Sequence, residues 1–85
     1  MPESSIEPLA ALQAAFDEVL PEAKRTLARE DDLIDLGIGS IAALEIAGTL
    51  QSRYEIEIPD ADLFELRTVG DFVALLERRL AATSR

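Results

Sequence analysis

The apolar positions Leu9, Leu12, Phe16, Val19 and Leu20 recur at three- and four-residue spacing, which places them on one stripe of a helix. The pattern predicts a first helix over Ile6 to Leu20, stopped by Pro21, whose ring cannot continue the hydrogen-bond ladder. Residues 21–39, PEAKRTLAREDDLIDLGIG, lose that period to an acidic cluster and two glycines. They predict a long loop pinned to the core by Leu27, Leu33, Leu36 and Ile38. A second helical period runs through SIAALEIAGTLQSRY, with Ser40 read as its N-cap. Its wheel puts Ala43, Ala47, Leu50 and Tyr54 on one face, flanked by Leu44 and Ile46. Ile41, Glu45, Gly48 and Ser52 lie opposite, so Ile41 is predicted to be exposed.

The piece YEIEIP alternates apolar and polar residues and predicts a short strand ended by Pro59. Asp60 is read as the cap of a short helical turn through Ala61, Leu63 and Phe64. Thr68 followed three residues later by Asp71 forms a capping box for a last helix, with Val69, Phe72, Val73, Leu76 and Leu80 as its buried stripe. The expected fold is therefore all-α: a small four-helix bundle with three main helices, one short helix and a long first loop. Residues 1–85 are expected to form a single domain with flexible ends at about 1–5 and 82–85.

Charge changes the picture. The net charge is −9, and its placement is uneven. From Glu30 to Glu65 the chain holds ten acids and one base, Arg53, while acids and bases balance elsewhere. Such a surface repels nucleic acid and anionic membranes and attracts basic protein patches. No apolar run approaches the length of about 18 residues that spans a bilayer, and the first residues lack the basic and apolar regions of a signal peptide. A cytoplasmic monomer is expected.

Candidate chemistry is narrowed by what is missing. The chain contains no cysteine and no histidine, so Ser40 has no imidazole base and no thiol relay within its own chain, and no enzymatic activity is expected. Asp31, Asp32 and Asp35 lack the alternating ligands and terminal glutamate of a calcium-binding loop. No metal site is expected. A serine at a helix N-terminus is ordinarily a cap, yet the same place favours an anion, because free N–H groups and the helix dipole converge there.

The segments DLGIGSIAALE and YEIEIPDADLFELRTVGDF together resemble the acyl carrier proteins of fatty-acid, polyketide and related biosynthesis. The likeness covers most of the chain without a gap. It implies that a phosphopantetheinyl transferase attaches the 4'-phosphopantetheine of coenzyme A to Ser40, and that acyltransferases or ligases, ketosynthases and other pathway enzymes with basic patches dock nearby. Ile41 and Glu45 are the implied docking residues beside the serine, with Glu55, Glu57 and Asp60 extending the acidic patch. Gly39 departs from the family pattern, which has an aspartate before the serine. The second helix is also poor in acids, with Ala42, Gly48, Gln51, Ser52 and Arg53 where carboxylates are common, which points to polyketide or other specialised metabolism rather than primary fatty-acid synthesis. The rival reading is an unmodified helical adaptor that binds a basic protein surface.

Overall fold

The computed structural model describes residues 7–83. Four helices follow in order: α1 (Pro8–Val19), α2 (Ser40–Tyr54), α3 (Asp60–Leu63) and α4 (Val69–Thr83), with a single 3-10 turn at Ile34–Leu36. The expected all-α bundle is what forms. α1 packs on α2 and α4, and α3 packs on α2. Phe16, Leu12, Ile46, Leu50, Val69, Phe72, Val73, Leu75 and Leu76 are fully buried at the centre. None of the helices among the described residues is long and apolar enough to cross a membrane.

Local chemistry sets each boundary, and several differ from the sequence reading. α1 begins at Pro8 rather than Ile6, with proline in the first turn where its missing N–H costs nothing; Ile6 lies outside the described residues. The helix ends at Val19, and the Leu20 N–H closes it on the Phe16 carbonyl. The expected flexible ends fall mostly outside the described residues, and Ala82 and Thr83 still belong to α4.

The strand expected over YEIEIP is absent. Glu55 takes a left-handed conformation at the end of α2, and the chain folds back on its own helix. Ile56 N–H donates to the Gln51 carbonyl at 3.3 Å, and Ile58 N–H to Gln51 Oε1 at 2.7 Å. Ile56 and Ile58 are buried while Glu57 is exposed, so the alternation is real, but among the described residues no neighbouring strand pairs with it. Asp60 is likewise not a cap. Pro59 occupies that position and Asp60 is the first residue of α3.

The long loop is held more firmly than its composition suggests. Leu27, Leu33, Leu36 and Ile38 are all buried, as the pattern predicts. Gln13 of α1 adds a brace, accepting the Leu27 N–H at 2.8 Å and donating to the Arg25 carbonyl at 2.9 Å. Residues 29–33 then run alongside the approach to α4. Leu33 N–H donates to the Arg67 carbonyl at 2.9 Å, Val69 N–H to the Asp31 carbonyl at 2.9 Å, and Gly70 N–H to the Arg29 carbonyl at 2.8 Å. A Cβ on Gly70 would sit 3.2 Å from that Arg29 oxygen, so the close approach suits glycine.

The capping box forms as expected. Asp71 N–H donates to Thr68 Oγ1 at 3.1 Å, and the Asp71 carboxylate accepts the Thr68 N–H at 3.2 Å and the Arg67 N–H at 3.1 Å. Of the predicted stripe, Val69, Phe72, Val73 and Leu76 are fully buried; Leu80 is only half-buried near the helix end, and Leu75 joins the core instead.

The hydrogen bonds from Thr68 and Arg67 hold the Asp71 carboxyl below its ordinary value of 3.8. A depressed carboxylate contributes stability that is present above its unfolded pKa and is lost as pH falls through the lower folded value. Thr68→Ala is expected to cost about 1 kcal/mol in denaturant unfolding at neutral pH. Asp71→Asn should remove part of the acid-limb dependence, measured as a flatter loss of stability below pH 3.8.

Candidate functional site

The segment before α2 is shaped to present one hydroxyl. Gly37 closes the 3-10 turn in the left-handed region, at φ +82°, with its N–H on the Ile34 carbonyl. Ile38 then turns inward and is buried, its N–H donating to the Leu33 carbonyl at 2.9 Å. Gly39 is extended, at φ −85° and ψ −165°, and is the N-cap of α2. Ser40 is therefore the first helical residue, not the cap expected from its type. Its side chain makes no capping hydrogen bond and is exposed.

This end of α2 differs from that of α4. The α4 N–H groups of Val69, Gly70, Asp71 and Phe72 find Asp31 O, Arg29 O, Thr68 Oγ1 and Thr68 O. In α2 the first helical bond is Ala43 N–H to the Gly39 carbonyl. The N–H groups of Ser40, Ile41 and Ala42 have no acceptor among the described residues. A 15-residue helix thus begins with free donors and the positive end of its dipole beside an exposed hydroxyl. No neighbour lies within 4 Å of a Cβ built on Gly39. The surroundings fit a phosphodiester on Ser40 Oγ: the hydroxyl is accessible, unbonded and flanked by donors that an anion satisfies.

A cleft of about 470 Å³ opens on the same side. Ile34, Ile38, Leu63 and Phe64 give it apolar walls, and Asp32 and Arg67 its polar groups. Ile34 and Phe64 are 75% and 64% exposed. Ile46 and Leu50 of α2, deeper in the bundle, are fully buried.

Ile41 is 74% exposed, as its wheel position predicts, and Glu45 lies one turn further along the same exposed face. Leu44, three residues after Ile41, is also exposed. Glu55 and Glu57 are exposed too, but they lie past the far end of α2, about 22 Å along the axis from Ser40 at 1.5 Å per residue. Asp60 is exposed at the start of α3. The structure thus brings Ile41 and Glu45 to the serine and sets Glu55 and Glu57 apart from it. Arg53, the one base of the acidic half, hydrogen-bonds and pairs with Glu18 of α1, which raises its pKa above the ordinary guanidinium value. Its charge is thereby partly answered within the chain. The Asp31 carboxylate accepts the Ala28 N–H at 3.0 Å, and no group of three or more acids among the described residues is arranged to hold a metal ion.

Sequence reasoning missed Arg67, Phe64 and Ile34 as neighbours of the serine. Their shared cleft depends on how the loop and α3 come together, for which the pattern along the chain carries no signal.

Gly37 and Gly39 separate conformational need from open space. Gly37→Ala should cost about 1–2 kcal/mol, because a Cβ is disfavoured at positive φ. Gly39→Asp should leave the unfolding free energy unchanged or raise it by a few tenths of a kcal/mol, since aspartate is a slightly better N-cap than glycine. Thermal melts of the two variants check both expectations.

Comparison with known proteins agrees with this geometry. A family model described as "Phosphopantetheine attachment site" matches residues 10–76. The meromycolate extension acyl carrier protein of Mycobacterium tuberculosis is 35% identical over 79 residues, covering 92% of this chain and 69% of the relative. Its counterpart from Mycolicibacterium aurum is 37% identical over 79 residues, covering 92% and 81%. The solution structure of the acetyl actinorhodin acyl carrier protein from Streptomyces coelicolor aligns with a TM-score of 0.79 at 26% identity, covering 88% of this chain and 92% of that one.

Proposed function

This chain belongs to the phosphopantetheine-binding acyl carrier protein family, and we propose that Ser40 carries the arm and that the loaded chain serves polyketide or other specialised acyl-chain assembly. The observation that carries the attachment reading is the exposed, unbonded Ser40 hydroxyl at a helix N-terminus whose first N–H groups are free. When bound, the arm supplies a terminal thiol that holds acyl groups as thioesters. With neither cysteine nor histidine, the chain offers no thiol to exchange with that thioester and no imidazole base.

Ser40 Oγ attacks the pyrophosphate of coenzyme A in the site of a phosphopantetheinyl transferase. The Oγ–P bond forms as the pyrophosphate bond breaks, the hydroxyl proton passes to a base of the transferase, and adenosine 3',5'-bisphosphate leaves. The free N–H groups of Ser40, Ile41 and Ala42 stabilise the new phosphodiester. The pathway assignment is supported by the sparse acids on α2 and by relatives whose names refer to meromycolate extension and actinorhodin.

Ile41 and Glu45 form the docking point for partner enzymes. An exposed isoleucine beside a carboxylate offers a small apolar anchor and a charge that steers basic surfaces.

Incubation with coenzyme A, magnesium and a promiscuous phosphopantetheinyl transferase should add one phosphopantetheine by intact mass, and none to Ser40→Ala. No gain in folded native chain would favour the unmodified adaptor. Glu45→Lys should lower kcat/KM for the partner by roughly tenfold at low salt, through slower association. Its melting temperature should not change. Equal rates at low and high salt for native and variant chains would remove the docking role of Glu45.

A further inference from the structure

The cleft beside Ser40 contains one cation, and the rest of the fold makes no use of it. Arg67 lines the cleft together with Ser40. Two backbone hydrogen bonds fix their register: Leu33 N–H to the Arg67 carbonyl, and Ile38 N–H to the Leu33 carbonyl, both 2.9 Å. Ile38 is two residues from Ser40, so the segments that carry the arginine and the serine are tied to the N–H and the carbonyl of the same residue, Leu33. Two other arginines are engaged elsewhere in the fold. Arg53 pairs with Glu18, and Arg79 Nε donates to the Glu57 carbonyl at 2.7 Å. The Arg67 guanidinium makes no hydrogen bond or ion pair among the described residues, and its charge acts only weakly on Asp71 in the following turn.

Electrostatics gives that arginine a purpose. A phosphodiester on Ser40 would enter a region crowded with acids, with Asp32 in the cleft itself and Asp35 and Glu65 close in the chain to its lining. An anion there is stabilised by a guanidinium, whose planar fork matches phosphate oxygens. Beyond the phosphate, the exposed faces of Ile34 and Phe64 suit the methyl and methylene groups of a pantetheine chain. The volume, about 470 Å³, lies in the range of about 300–1,000 Å³ usual for small-ligand sites.

We propose that Arg67 is a positioning residue that holds the phosphodiester on Ser40, so that the arm rests in the cleft against Ile34 and Phe64 until a partner enzyme draws it out. This rests on Ser40 as the attachment residue. Arg67 touches no reacting atom; it sets where the thiol waits.

The test compares apo and holo forms of the native chain, Arg67→Ala and Arg67→Lys by amide NMR, each holo sample verified by intact mass. Loading should move the amide signals of Ile34, Phe64 and Arg67 in the native chain and in Arg67→Lys. In Arg67→Ala the changes should shrink to the immediate neighbours of Ser40. The arm thiol of holo Arg67→Ala should also react several-fold faster with a bulky maleimide than that of the native holo form, with Arg67→Lys close to native. Loaded native chain whose cleft signals stay at their apo positions, or equal changes in Arg67→Ala, would overturn the role of Arg67 alone. Cleft signals that move only after the arm is acylated would overturn it in favour of a cargo site. A native chain that gains no mass would overturn the attachment reading and this one with it.

Discussion

The structure depends on three backbone hydrogen bonds that join the long loop to the start of α4, from Leu33, Val69 and Gly70 to the carbonyls of Arg67, Asp31 and Arg29. They serve two ends at once. They give partners to α4 donors that would otherwise be left open at the helix start, and they hold the loop where Leu33, Leu36 and Ile38 reach the core. Without that clamp the loop would be an acidic, glycine-containing connector with little to order it. With it, the peptide before Ser40 has a fixed direction. The position of the serine is thus set from the other end of the chain.

Closing one helix and leaving another open divides structural work from functional work. The first turn of α4 is saturated by Thr68, Asp71 and the clamp, and it behaves as an anchor. The first turn of α2 keeps three N–H groups without an acceptor among the described residues. Exposed N–H groups in water carry no large penalty because solvent satisfies them, so the fold tolerates this opening without strain. Exposed apolar side chains cluster around the same point: Ile34, Ile41, Leu44 and Phe64. Each is an ordinary surface residue taken singly; together they ring an acidic surface with a cleft in it. On the proposal made above, the arm would use both surfaces, the cleft to rest on and the α2 face to be recognised by.

What was legible in the sequence follows from what side chains encode. Ile41 reads as exposed and Ala43, Ala47 and Leu50 as buried because helical period is a property of side-chain type. Thr68 and Asp71 read as a box because both partners are side-chain groups at fixed spacing. The clamp was hidden because its donors and acceptors are peptide groups, which every residue other than proline possesses. Ile56 and Ile58 read as a strand because alternation is shared by a strand and by an extended segment laid on a core; only the absence of a neighbouring strand separates them. Arg67 and Phe64 could not be placed beside Ser40 from spacing, since they reach it through the fold rather than along a helix.

The one-residue shift at the start of α2 carries the most physical content. A serine at the N-cap would turn its oxygen towards the N–H groups of the first turn and partly bury it in that bond. One position later, the capping place falls to Gly39, which has no side chain to offer, and the hydroxyl is released to solvent. An aspartate at the same place would accept one of those N–H groups and bring a carboxylate next to any phosphate on Ser40. Glycine does neither. The N–H groups of Ser40, Ile41 and Ala42 all stay available to an anion, and no like charge stands beside it. The same substitution removes a carboxylate that an incoming enzyme could read. On the proposed docking role, recognition would then rest on Ile41 and Glu45, the first exposed anchor and the first exposed acid after the serine.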